Sequence, residues 1–293
     1  MSNEEARTTT ERRKTDAALD LLEVGKDELT PLEQFHIRFI RKSLERGPLD
    51  SSLRFLQRHV GANWMEQSIK NLRHVHGEER LPKLSEHDSF VIVSNHRSFF
   101  DLFVVTAYLV KRGLPHRILF PVRANFFYDK ALGFLVNGMM SFFAMYPPVF
   151  RERKRASLNL AGIDETIRIL RKGGSFIGLH PEGTRNLGQD PYQLLPGQPG
   201  VGRIIHGSRV TVLPVFINGL GNDIVKQVGS NYTKTGGPVN VVFGAPVDFG
   251  DLLDRPGSPR TYREISQRAC DAITALGQEE KKIRASDQEK FSR

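Results

Sequence analysis

Two short segments of this chain carry residue types that can move protons and hold anions. The first, Asn95-His96-Arg97-Ser98-Phe99-Phe100-Asp101, follows the apolar run Phe90-Val91-Ile92-Val93 and sets an imidazole and a carboxylate five positions apart. A neutral imidazole takes a proton well near pH 7. A carboxylate on its other ring nitrogen fixes the tautomer and stabilises the imidazolium that forms. A strand running into a helix from Leu102 to Val110 would place Asp101 in the first helical turn, where the helix dipole favours its ionised form. His96 is therefore the candidate general base and Asp101 its orienter. The second segment, His180-Pro181-Glu182-Gly183-Thr184-Arg185, follows the run Ser175 to Leu179 and puts a carboxylate and a guanidinium at a strand exit, where α/β folds keep their sites. The planar fork of Arg185 can hold two phosphate oxygens at once.

These residue types alone leave other readings open. His96 and Asp101 also fit a surface histidine beside an N-capping aspartate. His96, Asp101, His180 and Glu182 suit metal ligation in a hydrolase, but no His-Glu-x-x-His or comparable pair fixes that geometry. No metal or organic cofactor is therefore expected. Ser98 lacks the Gly-x-Ser-x-Gly setting of an activated serine, so no covalent intermediate on it is expected either.

Strand and helix signals alternate through the middle of the chain, the habit of an α/β domain. Strands are expected at Phe90 to Ser94, Ile118 to Val122, Ser175 to Leu179, Val210 to Ile217 and Val239 to Phe243. Ala156, Leu160, Ile163, Ile167 and Leu170 recur at four-three-four-three spacing, which predicts a helix to Lys172 that Gly173-Gly174 stops. Upstream, Leu32, Phe35, Phe39, Ile40 and Leu44 share a helical face with Arg38, Arg41, Lys42 and Arg46 interleaved, and two more helical stretches follow Gly47-Pro48. Such a basic amphipathic segment suits a membrane interface and equally suits packing on the domain. The expected organisation is a charged disordered tail at 1–28, a helical segment at 29–80, a catalytic α/β domain at 81–255 and a closing helix at 256–293.

The formal charge of +9 points to anionic partners without choosing among nucleic acid, a membrane surface and an acidic substrate. The single cysteine, Cys270, excludes an intramolecular disulfide. The N-terminal region has no apolar core of about 7 to 15 residues, so no signal peptide is expected and the protein should lie on the cytoplasmic side. The charge-free run 131–150 has the right length for a membrane span, but Asn137, Gly133, Gly138, Ser141 and the pair Pro147-Pro148 interrupt it; a buried helix and strand are expected there, with a shallow membrane-dipping segment as the alternative.

With these blocks in view, the chain resembles the glycerolipid acyltransferase family, whose bacterial members convert lysophosphatidic acid to phosphatidic acid. Asn95 to Asp101 match its first block, Arg123 and the stretch Pro147 to Arg151 fall where its second belongs, Pro181 to Arg185 match its third, and Leu213-Pro214-Val215 its fourth. The likeness covers roughly residues 88–246. It departs in three places: His180 stands where the family usually has Phe, Pro148 and Phe150 break the Ile-x-Val-x-Arg pattern, and Gln198-Pro199-Gly200 lacks a lysine before the glycine. Arg151 and Arg153 both remain candidates for the basic anchor. The resemblance implies a mixed sheet flanked by helices, of the glycerol-3-phosphate acyltransferase type. It implies an acyl-CoA or acyl carrier protein donor, a lysophospholipid acceptor with glycerol 3-phosphate and dihydroxyacetone phosphate as runners-up, and an anionic membrane surface, with no nucleic acid partner. His96 and Asp101 would be catalytic; Glu182, Gly183, Thr184, Arg185, Arg123 and Arg151 would bind substrate. Glu182 would bind glycerol hydroxyls or order the arginine, and structurally it can simply pair with Arg185.

Overall fold

The apolar runs that precede the two motifs become neighbouring parallel strands at the centre of one sheet. The computed structural model describes residues 19–83, 85–128 and 130–291. Its seven strands are β1 Arg73–His76, β2 Phe90–Ser94, β3 Arg117–Arg123, β4 Met145–Val149, β5 Ser175–Leu179, β6 Thr211–Asn218 and β7 Val239–Phe243, in the order β1-β7-β6-β2-β5-β3-β4. Every neighbouring pair is parallel except β6 with β7, so the sheet is the mixed one expected. Strands β2, β5 and β7 are buried along their whole length, which requires helices on both faces and accounts for their largely apolar sequence; the buried Asn240 in β7 donates to Glu280 at 2.8 Å. Each fully buried valine or isoleucine in them stabilises the sheet by roughly 1.5–3 kcal/mol.

The helices are α1 Leu21–Val24, α2 Pro31–Ser43, α3 Pro48–Leu56, α4 Ala62–Ile69, α5 Asp101–Lys111, α6 Ala124–Phe127, α7 Ala131–Ser141, α8 Ala156–Lys172, α9 Pro199–Ser208, α10 Ile224–Thr233 and α11 Pro259–Phe291. A π-helical turn, Gln57–Gly61, joins α3 to α4. Thr30 and Glu33 form a capping box at the start of α2, and Pro31 takes the first helical position, where its missing N–H is not needed.

Residues 1–18 of the charged tail expected at 1–28 lie outside the described residues. The remainder holds α1, capped by the Asp20 side chain, with Leu21 fully buried. The helical segment expected at 29–80 also contributes a strand, β1, which pairs with β7 and makes the sheet begin before residue 81. Its helices pack as core through Ile37, Ile40, Met65 and Ile69. Arg41 on α2 reaches α8, where it pairs with the buried Glu165 at 2.8 Å. Among the described residues no helix is long and apolar enough to cross a membrane. The run 131–150 divides into the 11-residue α7 and the strand β4, as expected. Pro147 and Pro148 are tolerated because β4 is the edge strand of the sheet.

Strands β2, β5, β3 and β4 lie side by side and parallel, so all four chains leave the sheet along one edge. The residues that follow them are those that the sequence marks for chemistry.

Candidate active site

The loop after β2 is held from three directions. Asn95, buried, pairs with β6 both ways: its amide donates to the Ile217 carbonyl at 2.8 Å and its oxygen accepts from the Ile217 N–H at 2.9 Å. The backbone of His96 is clamped by the loop after β5, its N–H donating to Glu182 Oε1 and its carbonyl accepting from the Asn186 N–H, both at 2.8 Å. Asp101 is the first residue of α5, and its Oδ2 accepts from the N–H groups of Arg97 and Ser98 at 2.7 and 2.8 Å. His96 Nδ1 stands 3.4 Å from the same oxygen. The loop thus curls around one carboxylate oxygen, which also faces Nδ1 of the imidazole. Ser98 donates its hydroxyl to the Gly221 carbonyl at 2.9 Å, the role of a loop tie.

Burial sets the protonation states. It pushes the carboxyl of Asp101, only 1% exposed, up to about 6, against the opposing pull of the backbone N–H groups. Burial, followed by the Arg185 charge, pushes His96 down to about 4. At pH 7 the imidazole is neutral and the carboxylate ionised, the state a general base requires. The expected kcat/KM profile is flat through pH 7 and falls as Asp101 and then His96 take protons, so its acid limb lies below the ordinary histidine value of about 6.5. An acid limb at or above that value in a pH–rate measurement would contradict this assignment.

His180 packs face to face on His96, with ring centroids 3.7 Å apart and planes within 8° of parallel. Its Nδ1 lies 3.1 Å from the Ser94 carbonyl and 3.2 Å from the Ser94 hydroxyl. Burial, then the neighbouring His96, push it down to about 3. His96, Asp101 and His180 bring donor atoms within 4.8 Å of one another. Their geometry suits chelation poorly, because an ion shared by two parallel rings lies out of both planes, where neither lone pair points.

The second motif and the two basic strand ends supply the cations. Arg185 is exposed, donates to Asn222 Oδ1 at 3.0 Å and lies close enough to depress the basicity of His96. Arg151, just beyond β4, donates to the Gly183 carbonyl at 3.3 Å; of the two candidates after that strand it is the one bonded to this turn. Arg123 ends β3 beside the end of β4, and its charge, after burial, holds Arg151 below the usual guanidinium range. Gly183 has a φ of +68°, a conformation that favours glycine, and a side chain there would strike Gln198. Thr184 is exposed beside it.

Glu182 departs from expectation. Among the described residues it makes no ion pair with Arg185, and it is 2% exposed. Its Oε1 accepts from His96 and its Oε2 from the Leu195 N–H at 2.8 Å. Burial raises its pKa against these two bonds. It is buried, and its carboxylate holds the His96 backbone. Asn95 and Asn222 also act here and were not singled out from the sequence; Asn95 had a signal in its place next to the base, Asn222 had none.

An apolar cluster adjoins the motif. Phe99 packs on Phe103, and Phe103 on Phe120. The latter two line a cavity with Ala107, Met65 and Phe142, between α4, α5 and the sheet.

The model of the family described as Acyltransferase matches residues 72–218, half of the chain and both motifs. No curated protein matches the chain. Among solved structures, the crystal structure of the 1-acyl-sn-glycerophosphate (LPA) acyltransferase PlsC from Thermotoga maritima is similar at 20% identity and a TM-score of 0.51, over 84% of this chain and 89% of that one. At that identity the likeness is one of fold.

Proposed function

The chain belongs to the glycerolipid acyltransferase family, and on that premise we propose that it moves a fatty acyl group from an acyl-CoA or acyl carrier protein thioester to the free hydroxyl of 1-acylglycerol 3-phosphate, giving phosphatidic acid at the cytoplasmic face of a membrane. The observation that carries this reading is His96, with Asp101 at its Nδ1, at one sheet edge with Arg123, Arg151 and Arg185. His96 Nε2 takes the hydroxyl proton as the hydroxyl oxygen attacks the thioester carbonyl. The tetrahedral intermediate then expels the thiolate, which leaves with the proton from the imidazolium. A thioester is already activated, so deprotonation and positioning are the protein's main tasks. The arginines suit the acceptor phosphate by charge and, for a planar guanidinium, by shape.

Release of free thiol from oleoyl-CoA by purified protein, with lysophosphatidic acid or glycerol 3-phosphate as acceptor, tests the reading. Release that depends on lysophosphatidic acid is expected; release that depends only on glycerol 3-phosphate, or on neither, would overturn the acceptor or the reaction.

A membrane surface follows from the same reading, because both acceptor and product are lipids. Leu132, Leu135 and Met139 form an exposed stripe at i, i+3 and i+7 on α7, with Phe35 and Phe126 exposed on neighbouring elements. Net positive charge adds attraction to anionic headgroups. The double substitution Leu132→Asp with Leu135→Asp is expected to cut sedimentation with anionic vesicles at least several-fold, and higher salt to weaken what remains. Undiminished binding by the double variant would rule this face out.

A further inference from the structure

Resting on the role of His96 as the base, we propose that His180 is a positioning residue that stacks on His96 and fixes the orientation of its ring. The family usually has Phe at this place, and here a second imidazole occupies it. Two properties of the structure give it the role. Its ring covers one whole face of His96 at a centroid distance of 3.7 Å and an interplanar angle of 8°. Rotation of the His96 ring toward that side is blocked, so Nδ1 stays on Asp101 Oδ2. Its own ring is anchored at the far edge, where Nδ1–H donates to the Ser94 carbonyl at the end of β2, so the stack is tied to the sheet on which both motifs stand. A phenylalanine would keep the face contact, which does the positioning, and lose only this tie.

The groups around the pair decide which ring takes the proton. Asp101 from α5 lies at the His96 Nδ1 edge, Arg185 on the second motif faces His96 with positive charge, Glu182 beneath is occupied by backbone N–H groups, and Arg97 reaches away to the Gly188 carbonyl. Two imidazolium rings in face contact repel strongly, so one site takes the proton and the other stays neutral. Burial and the neighbouring His96 push His180 lower than His96, so His180 is the one that stays neutral. It therefore shields His96 from water without competing for the substrate proton.

Histidine-selective 15N NMR, together with the pH dependence of kcat/KM, reads this directly. In the wild type His96 stays neutral, as a single tautomer, to well below pH 6. In His180→Ala, water reaches the exposed face, the His96 midpoint rises toward about 6.5, the acid limb of kcat/KM moves with it, and kcat falls roughly tenfold to 10²-fold from loss of alignment. In His180→Phe the stack is kept, and the His96 midpoint stays near its wild-type value with most of kcat. An unchanged His96 midpoint and tautomer in His180→Ala would overturn the proposal. So would a His180→Phe protein that behaves like the alanine variant. Should His180→Ala not fold, His180→Leu gives the same comparison with the volume kept and the stack removed. The NMR titration needs no substrate, so it separates failure of the positioning role from failure of the acyl-transfer reading.

Discussion

Replacement of His96 by alanine is expected to lower kcat for acyl transfer by about 10² to 10⁴-fold, the usual worth of a positioned general base. The fold should survive, because the backbone N–H and carbonyl of residue 96 make the bonds to Glu182 and Asn186, and the substitution keeps both. KM for the acceptor should change little, since the phosphate is to be held by the arginines and not by the imidazole. Asp101 behaves differently: its carboxylate holds the loop through two N–H groups as well as facing the ring, so its removal combines loss of orientation with loss of structure. A His96→Ala protein that keeps near wild-type kcat with an intact fold would remove the imidazole from the mechanism.

Glu182→Ala should be nearly as damaging, for a structural reason. The carboxylate accepts two buried backbone N–H groups, from His96 and Leu195. Its loss leaves both without an acceptor, at about 1–3 kcal/mol each. For a chain of this size that corresponds to a fall in Tm of roughly 5 °C or more. It also frees the His96 backbone, and misplacement on the scale of an ångström can cost about 10²-fold in rate. Glu182→Gln keeps one oxygen acceptor and turns an N–H₂ toward a donor, so it should recover part of the Tm and less of kcat. If Glu182 instead contacted the glycerol hydroxyls, the alanine variant would raise KM and leave Tm unchanged. Melting curves beside steady-state kinetics separate the two.

Much of the site is legible in the sequence because it depends on strand ends. His96, His180, Arg123 and Arg151 each follow or end an apolar run, and parallel strands bring such positions to one sheet edge without further information. The helix from Ala156 to Lys172 shows the same thing, its apolar period and terminal glycine agreeing with the structure. What escapes the sequence depends on contacts distant in the chain. β1, with the sequence Arg-His-Val-His, has no apolar alternation and exists because β7 offers a parallel edge. α9 is hidden by Gly200, Gly202 and Gly207, which oppose a helix locally; at Gly202 a side chain would meet the Tyr262 carbonyl at 1.8 Å, so the glycine is there for the close approach of α11. The bonds of Glu182 are not legible either, because its residue type suggests a cation partner, while the groups it accepts from are backbone N–H groups that only the folded loops bring near. The stacking of His180 on His96 likewise depends on the alignment of β2 with β5, which no local spacing records.

The most direct test of the central claim is mass-spectrometric detection of phosphatidic acid made from isotopically labelled lysophosphatidic acid and oleoyl-CoA by purified protein, with His96→Ala run in parallel. Labelled phosphatidic acid carrying the oleoyl chain, formed by the wild type and reduced at least 10²-fold in the variant, is the predicted result. Free oleate without labelled product, or product formed equally by both proteins, would contradict the account.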